Sequence, residues 1–250
     1  MLVFQEGDAK DVGPVRSTRF YFARWASEYH SVLGHFRGDW KTIKLVIPPL
    51  VKQSVLWDMD ALKGGGCPYH RISSRVAPFN AYTNTAALRA CAVKKGYPQK
   101  VRYILHRSFS DDLPAAQRPT SGSITIPYHN QTIGYVYDPT SNSYLRSTDG
   151  KAEIAASNGQ RITARDVVVL FQTLGTDPQP GHIRPVVGQI GTGKAVVFRD
   201  GKAIVGTWTK NNETDLTRFL DASGNEIPLA RGHIFIQVVA VGTNLTYKAA

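Results

Sequence analysis

Residues 188–208 read GQIGTGKAVVFRDGKAIVGTW, and this stretch decides between a nucleotide-binding fold and a β-rich one. It begins with the spacing of a phosphate-binding P-loop, in which Gly188 is followed five and six residues later by Gly193 and Lys194. A P-loop requires a helix directly after its lysine, because the amides at the helix N-terminus hold the phosphates.

No helix is predicted after Lys194. Two alternating apolar runs come next, joined by Asp200-Gly201, which is a strong hairpin signal. The Ser or Thr that would bind magnesium is replaced by Ala195. The stretch therefore predicts a glycine-rich loop over 188–194, a β-hairpin over 195–208 and no nucleotide site.

The rest of the C-terminal half has the same character. Short runs rich in Val, Ile, Phe and Tyr alternate with turn residues, as is typical of antiparallel sheets. The runs are TIGYVYD (132–138), SYLRS (143–147), DVVVLFQTL (166–174), TRFLD (217–221) and HIFIQVV (233–239). We expect an antiparallel β-rich part over 123–250.

The first 110 residues mix helix and strand signals. A turn at Gly13-Pro14 precedes a helix predicted from about Ser17, and VLGHF (32–36) predicts a strand. A second helix is predicted from Asn84 to Lys95, ending at a glycine. The first helix is expected to bury one face, which carries Phe22, Trp25, Ala26 and Tyr29.

Net charge divides the chain at the same place. Residues 1–110 hold 17 Lys and Arg against 7 Asp and Glu, whereas residues 111–250 hold 13 against 12. The segment 111–122 is rich in Pro, Ser and charge and predicts a linker. We therefore expect an α+β protein with a basic mixed part over 1–110, a linker over 111–122 and a β-rich part over 123–250. The charge of the basic part predicts either an anionic partner or only a solubility bias without a ligand, and charge alone does not favour one over the other.

Several classes of protein are disfavoured by composition. No apolar stretch approaches the length of a membrane-spanning helix, and the first residues lack the pattern of a secretory signal peptide. Cys67 and Cys91 fit no zinc spacing; they either form a disulfide or remain two buried thiols, and the thiol interpretation is slightly favoured. The spacing of the histidines predicts no metal site.

The arginines of the basic part are the strongest candidates for a binding site. Seven acidic residues cannot neutralise 17 cations, so unpaired guanidiniums are expected to face an anion. We expect one concave ligand-binding surface formed by Arg16, Arg19, Arg71, Arg75, Asn80 and Tyr82, with His35 at its edge. In the alternative interpretation, Arg16 and Arg71 bond to backbone carbonyls and hold the turns of GPVRS and APFN.

The order of motifs resembles the YerB-like lipoprotein family over almost the whole chain. The motifs are GPVRSTRFYF, VLGHF, HRISSRVAPFNAYT, YVYDPTSNSYLRSTDG, ITARDVVV and GTGKAVVFRDGKAIVGTW. Members of that family are bacterial envelope proteins with a signal or lipoprotein sequence and no settled activity. The resemblance implies an extracytoplasmic protein, lipid-anchored at full length, whose N-terminal portion is missing here. It implies no metal and no cofactor. Phe79 stands where family members commonly place a histidine.

Three functions are weighed on this basis. The favoured one is an envelope binding or accessory protein that recognises an anionic wall polymer, peptidoglycan or lipid headgroup, with membrane association only through the missing anchor. The second is a hydrolase-like envelope enzyme using His35 and Asp39, which bracket FRG. The third, nucleic-acid binding, would explain the charge but lacks a recognisable motif.

Overall fold

The computed structural model of the chain describes residues 1–4, 8–63, 67–99, 107–179 and 182–249. It divides into two compact units. The N-terminal unit comprises Met1–Leu105 with Glu213–Leu216, and the C-terminal unit comprises His106–Asn212 with Thr217–Ala250. The predicted α+β class, with a β-rich C-terminal part, is confirmed. No helix within the described ranges is long and apolar enough to cross a membrane.

The N-terminal unit surrounds a small core with short elements. Its helices are α1 (Phe20–Ser27), α2 (Ile47–Lys52) and α3 (Thr85–Lys94). Its strands are β1 (Ser31–His35), β2 (Leu56–Asp60), β3 (His70–Arg71) and β4 (Ala81–Tyr82). β1 pairs in parallel with β2, and β3 pairs antiparallel with β4. Side chains of α1, α2, β1 and β2 form the core, which contains Ala23, Ala26, Leu33, Ile47, Leu50, Val55 and Leu56.

Helix α1 begins later than the sequence predicts and buries a different face. The amide of Thr18 donates to the carbonyl of Arg37, which keeps the preceding residues extended. The helix therefore starts at Phe20, and the buried face carries Phe20, Ala23 and Ala26. The expected face of Phe22, Trp25 and Tyr29 is wrong apart from Ala26, since those three rings are only half-buried.

Two consecutive prolines shape the helix over 40–52, of which α2 is the last part. Pro48 and Pro49 have no amide hydrogen, so they cannot donate to the carbonyls of Lys44 and Leu45. The backbone widens into a π-helical turn over Thr42–Val46, in which the amide of Ile47 donates to the carbonyl of Thr42. The helix survives because its inner side packs into the core.

The two cysteines form a disulfide, so the favoured thiol interpretation is wrong. Cys67 and Cys91 are bridged with their Cα atoms 5.3 Å apart. The bridge fastens the segment after β2 to α3. The predicted second helix is confirmed as α3, whose first turn is capped by the Asn84 side chain and whose end is followed by Gly96 with φ of 69°.

The C-terminal unit consists of two packed sheets and a separate hairpin. Its strands are β5 (Ser123–Tyr128), β6 (Gln131–Asp138), β7 (Ser143–Thr148), β8 (Lys151–Ala152), β9 (Thr163–Ala164), β10 (Asp166–Gln172), β11 (Leu174–Gln179), β12 (His182–Val187), β13 (Gly191–Arg199), β14 (Lys202–Lys210), β15 (Arg218–Leu220), β16 (Ile234–Ala240) and β17 (Thr246–Lys248). One sheet has the order β15-β14-β13-β10-β16 and the other β17-β5-β6-β7-β8, with β9 also paired to β7. β11 and β12 form the hairpin.

Strand β10 lies at the centre of this unit. All seven of its residues are buried. Val167, Val169 and Phe171 face the core between the two sheets, and Val168 and Leu170 face a second core on the other side. β10 runs antiparallel to β13 but parallel to β16, so this pair departs from the antiparallel pattern of the β-rich part.

The hairpin predicted after Lys194 is confirmed, but its first strand begins earlier than expected. β13 starts at Gly191, so the last four residues of the predicted loop belong to the ladder with β14. Asp200 and Gly201 both have positive φ, 50° and 77°, as a tight two-residue hairpin turn requires.

Gly193 in this hairpin has a packing role. A Cβ at Gly193 would lie 2.6 Å from the indole nitrogen of Trp208 and 2.9 Å from the carbonyl oxygen of Phe171. The indole donates to that carbonyl at 2.8 Å. Gly193, one of the residues that give the P-loop spacing, therefore leaves room for the Trp208 ring against the Phe171 carbonyl.

The start of the predicted linker, 111–122, is bonded within the C-terminal unit. Arg199 donates to the carbonyl of Asp111, the first residue of the segment, and to the side chain and carbonyl of the preceding Ser110. It also donates to the carbonyl of Pro228. The arginine is 6% exposed and also pairs with Asp200. These bonds anchor the start of the segment on the C-terminal unit, while most of its residues are exposed.

We expect Arg199→Ala to destabilise the C-terminal unit by about 3–5 kcal/mol, because it removes four part-buried hydrogen bonds to Ser110, Asp111 and Pro228 and leaves the buried Asp200 carboxylate without its cation. Arg231→Ala is the matched control: it removes an exposed pair to Asp111 on the same segment and should cost less than about 1 kcal/mol. Urea denaturation measures both values, and limited proteolysis should cut the segment 107–122 only in the Arg199 variant. Equal effects of the two substitutions would contradict this assignment.

We also expect the Cys67→Ser, Cys91→Ser double variant to lose about 3 kcal/mol of stability, since the disulfide closes a loop between residues separated by 24 positions. Hydrogen exchange should become faster in α3, whereas the amides of β10 should be unaffected and serve as the internal control. Two thiols that titrate in the folded, unreduced protein would show that the disulfide is absent.

Candidate functional site

Three extended segments of the N-terminal unit lie side by side and bring two of the predicted arginines together. The amide of Val15 donates to the carbonyl of Ala81 at 2.7 Å, and the amide of Phe36 donates to the carbonyl of Arg16 at 3.1 Å. The third segment forms the hairpin of β3 and β4, which carries Arg71. Backbone pairing thus fixes the positions from which these side chains extend.

Aromatic rings hold the guanidiniums of this region. The Arg16 guanidinium lies over the ring of Phe79, 4.4 Å from its centre. The Arg71 guanidinium lies over Phe36 at 4.9 Å and donates to the Asn80 side chain at 2.5 Å. A cation over an aromatic face is stabilised without losing its charge.

Arg75 adds a third cation beside Phe79. It lines a shallow depression of about 460 Å3 together with Phe79, Val76 and two serines. Phe79 and Val76 are 49% and 79% exposed. We use the name "arginine surface" for the set Arg16, Arg71, Arg75, Phe36, Phe79 and Asn80.

The positive charges of this surface are not neutralised by neighbouring carboxylates in the described part of the chain. Among the described residues, no carboxylate lies within ion-pair distance of Arg16, Arg71 or Arg75, and the same holds for Arg19. All three arginines of the surface are exposed. The surface therefore presents three cations to solvent with their donors largely free.

Three of the predicted site residues have other surroundings. The Arg19 guanidinium folds back to donate to the carbonyl of Thr18 at 2.7 Å. The Tyr82 ring covers Gly13, where a Cβ would lie 2.4 Å from it. The His35 side chain is 2% exposed, so it lies inside the unit and not at the edge of a surface.

His35 pairs with Asp58 and not with Asp39. Its Nε2 lies 2.6 Å from a carboxylate oxygen of Asp58, and its Nδ1 lies 2.8 Å from the carbonyl oxygen of Arg37. Asp39 instead accepts from the amide and hydroxyl of Thr42. The predicted His35–Asp39 pair is therefore wrong. Both ring nitrogens are occupied by acceptors in a buried position, so the ring has no free nitrogen with which to act as a general base.

Asp58 links the parallel strands to their surroundings. Burial alone would raise its pKa, but the hydrogen bonds from His35 and Lys63 outweigh burial, and the pKa of Asp58 is lowered from its ordinary value. Its backbone carbonyl also accepts from the hydroxyl of Tyr97 at 2.7 Å. These contacts join Asp58, in the middle of β2, to His35 at the end of β1 and to Lys63 after β2.

Sequence reasoning missed the rings that hold the arginines. Phe36 is the last residue of the strand predicted over 32–36, and Phe79 stood out only as a replacement for histidine. An aromatic residue beside each arginine motif was the available signal. Within the described residues no group of His, Cys, Asp and Glu has the arrangement of a metal site.

The fold and the site together define a class of protein. It is a two-unit α+β protein with an arginine surface on its N-terminal unit and a β-sandwich as its C-terminal unit. Two family models match the chain: the DUF3048 N-terminal domain over residues 1–98 and the DUF3048 C-terminal domain over residues 124–236, both described as a protein of unknown function. The chain belongs to this DUF3048 family, and the resemblance to YerB-like proteins is confirmed.

The YerB protein of Bacillus subtilis is similar to this chain both in sequence and in structure. The chain is 26% identical over 249 residues to the protein named "Putative lipoprotein YerB" of strain 168, covering 96% of this chain and 70% of that protein. A crystal structure of the YerB protein from Bacillus subtilis matches with a TM-score of 0.82 and 21% identity, covering 98% of this chain and 80% of the other. The structural likeness shows the shared fold.

We expect Asp58→Asn to lower the melting temperature at neutral pH and to have a progressively smaller effect as the pH falls below about 4. The folded-state pKa of Asp58 is depressed, so its contribution is present above about pH 4 and is lost as pH falls through the folded-state pKa. Asp11→Asn, at an exposed position of the same unit, is the control and should change little at either pH. A melting-temperature difference that stays constant with pH would contradict this prediction.

Proposed function

We propose that this protein is an extracytoplasmic binding or accessory protein of the bacterial envelope that recognises an anionic ligand through the arginine surface. The observation that carries the proposal is a set of three exposed arginines with no described carboxylate to neutralise them. Aromatic rings position the guanidiniums of Arg16 and Arg71, and Asn80 also accepts from Arg71. Such a surface is electrostatically incomplete without an anion.

The chemistry of arginine narrows the ligand. A guanidinium offers parallel N–H donors that match the two oxygens of a carboxylate or a phosphate. Because Phe79 is exposed beside Arg16 and Arg75, the ligand also has an apolar or ring-shaped portion to place against it. Wall polymers, peptidoglycan and lipid headgroups of the envelope combine these features.

Two observations support a place outside the cytoplasm. Disulfides persist in oxidising compartments, and Cys67 and Cys91 are joined. A relative that matches most of the chain is named a lipoprotein, which is the class of protein anchored to the outer side of a bacterial membrane.

The enzyme alternative finds no support in the geometry. The candidate histidine is buried with both ring nitrogens occupied, and Asp39 is committed to Thr42. Nucleic-acid binding remains the competing interpretation of the charge, so the decisive experiment compares the two kinds of polyanion directly.

We expect the protein to bind purified anionic wall polymer more tightly than duplex DNA at physiological salt. Arg16→Ala and Arg75→Ala should each weaken binding to the wall polymer about tenfold, because each removes a charge-assisted contact. The melting temperature should hardly change, since both side chains are exposed. Arg75→Lys should not restore binding fully, because lysine cannot form the bidentate contact.

Lys151→Ala is the matched control, since it removes one exposed cation from the C-terminal unit. It should leave the affinity within about twofold. Tighter binding to DNA would favour the nucleic-acid function. A large fall in melting temperature for the two alanine variants would instead identify the arginines as structural.

A further inference from the structure

The outer side of the helix over 40–52 has an unusual composition. Its exposed residues are Trp40, Lys44, Leu45, Pro48, Pro49, Val51 and Lys52. Trp40, Leu45 and Val51 are 67%, 54% and 39% exposed. A solvated helix face normally carries mixed charges and uncharged polar groups. The outer face of this helix instead carries large apolar side chains, and its charged residues are lysines.

The charge of the segment has one sign. No acidic residue occurs between Trp40 and Trp57, and the nearest one, Asp39, is buried and accepts from Thr42. The opposite side of the helix is already occupied, because Ile47 and Leu50 pack into the core of the unit. The exposed side is therefore a separate surface, which we call the "lysine–tryptophan face".

We infer that the lysine–tryptophan face seats on the surface of an anionic lipid bilayer. Tryptophan is favoured at the membrane–water boundary, and lysines there extend their ammonium groups to the headgroups while their stems cover apolar surface. A protein partner would suit the tryptophan, since aromatic residues are enriched at protein interfaces, but it fits the lysines less well, since lysine is depleted there.

The backbone limits the depth of insertion. Pro48 and Pro49 leave the carbonyls of Lys44 and Leu45 without their α-helical donors, and such groups require water or headgroup donors. The helix therefore lies at the headgroup boundary with Trp40 and Leu45 inserted shallowly. This contact does not depend on the arginine surface or on a lipid anchor.

Vesicle flotation with the purified chain tests the inference. The protein should float with vesicles of phosphatidylcholine and phosphatidylglycerol in equal parts, and much less with phosphatidylcholine alone. The Trp40→Ala, Leu45→Ser double variant should weaken this partition about tenfold. The control is Ile183→Ser with Val205→Ser, two exposed apolar residues of the C-terminal unit, which should not weaken it.

A second variant keeps the test independent of folding. Lys44→Glu with Lys52→Glu changes only exposed cations and should remove the preference for phosphatidylglycerol. Arg16→Ala with Arg71→Ala should retain flotation within about twofold, which separates this surface from the arginine surface. The inference would be overturned if the Arg16, Arg71 variant lost flotation while the Trp40, Leu45 variant kept it. The inference would also be overturned if the protein dimerised and the Trp40, Leu45 variant weakened the dimer without changing flotation.

Discussion

The C-terminal unit depends on the burial of strand β10 on both faces. The consecutive Val, Leu and Phe side chains of β10 point alternately to the two faces of the sheet. Both faces must therefore be covered by other apolar side chains. The sheet that contains β5, β6 and β7 covers Val167, Val169 and Phe171, and a second core covers Val168 and Leu170. A central strand buried in this way also needs a partner on each edge, which β13 and β16 provide.

A buried polar network closes one end of this arrangement. Asp200 at the hairpin turn accepts from Asn142 at 2.7 Å, and the same residue pairs with Arg199. Asp166 lies at the same end of β10, where burial raises its pKa to about 6 while the amide of Ala230 partly offsets that effect. Polar groups buried so deeply fix the position of every segment that supplies a partner.

The local pattern of the sequence predicts much of the fold but little of its polar pairing. The hairpin at Asp200-Gly201 and helix α3 follow from short-range signals, and the structure contains both. The parallel pairing of β10 with β16 could not be predicted, because the two strands are equally apolar in either orientation. Proximity in sequence pairs His35 with Asp39, whereas its partner Asp58 comes from the neighbouring strand 23 positions away. Strand pairing decides such contacts, and sequence distance does not.

Arginine is used in two physically different ways in this chain. In the C-terminal unit, carboxylates neutralise Arg146, Arg165, Arg199, Arg218 and Arg231. On the arginine surface the guanidiniums of Arg16 and Arg71 are positioned by Phe36, Phe79 and Asn80, which restrain a cation without cancelling its charge. A carboxylate in place of Phe79 would hold Arg16 more firmly, but it would also compete with any anionic ligand. Restraint by aromatic rings leaves the guanidinium ordered and its charge available, which lowers the entropy lost when an anion binds.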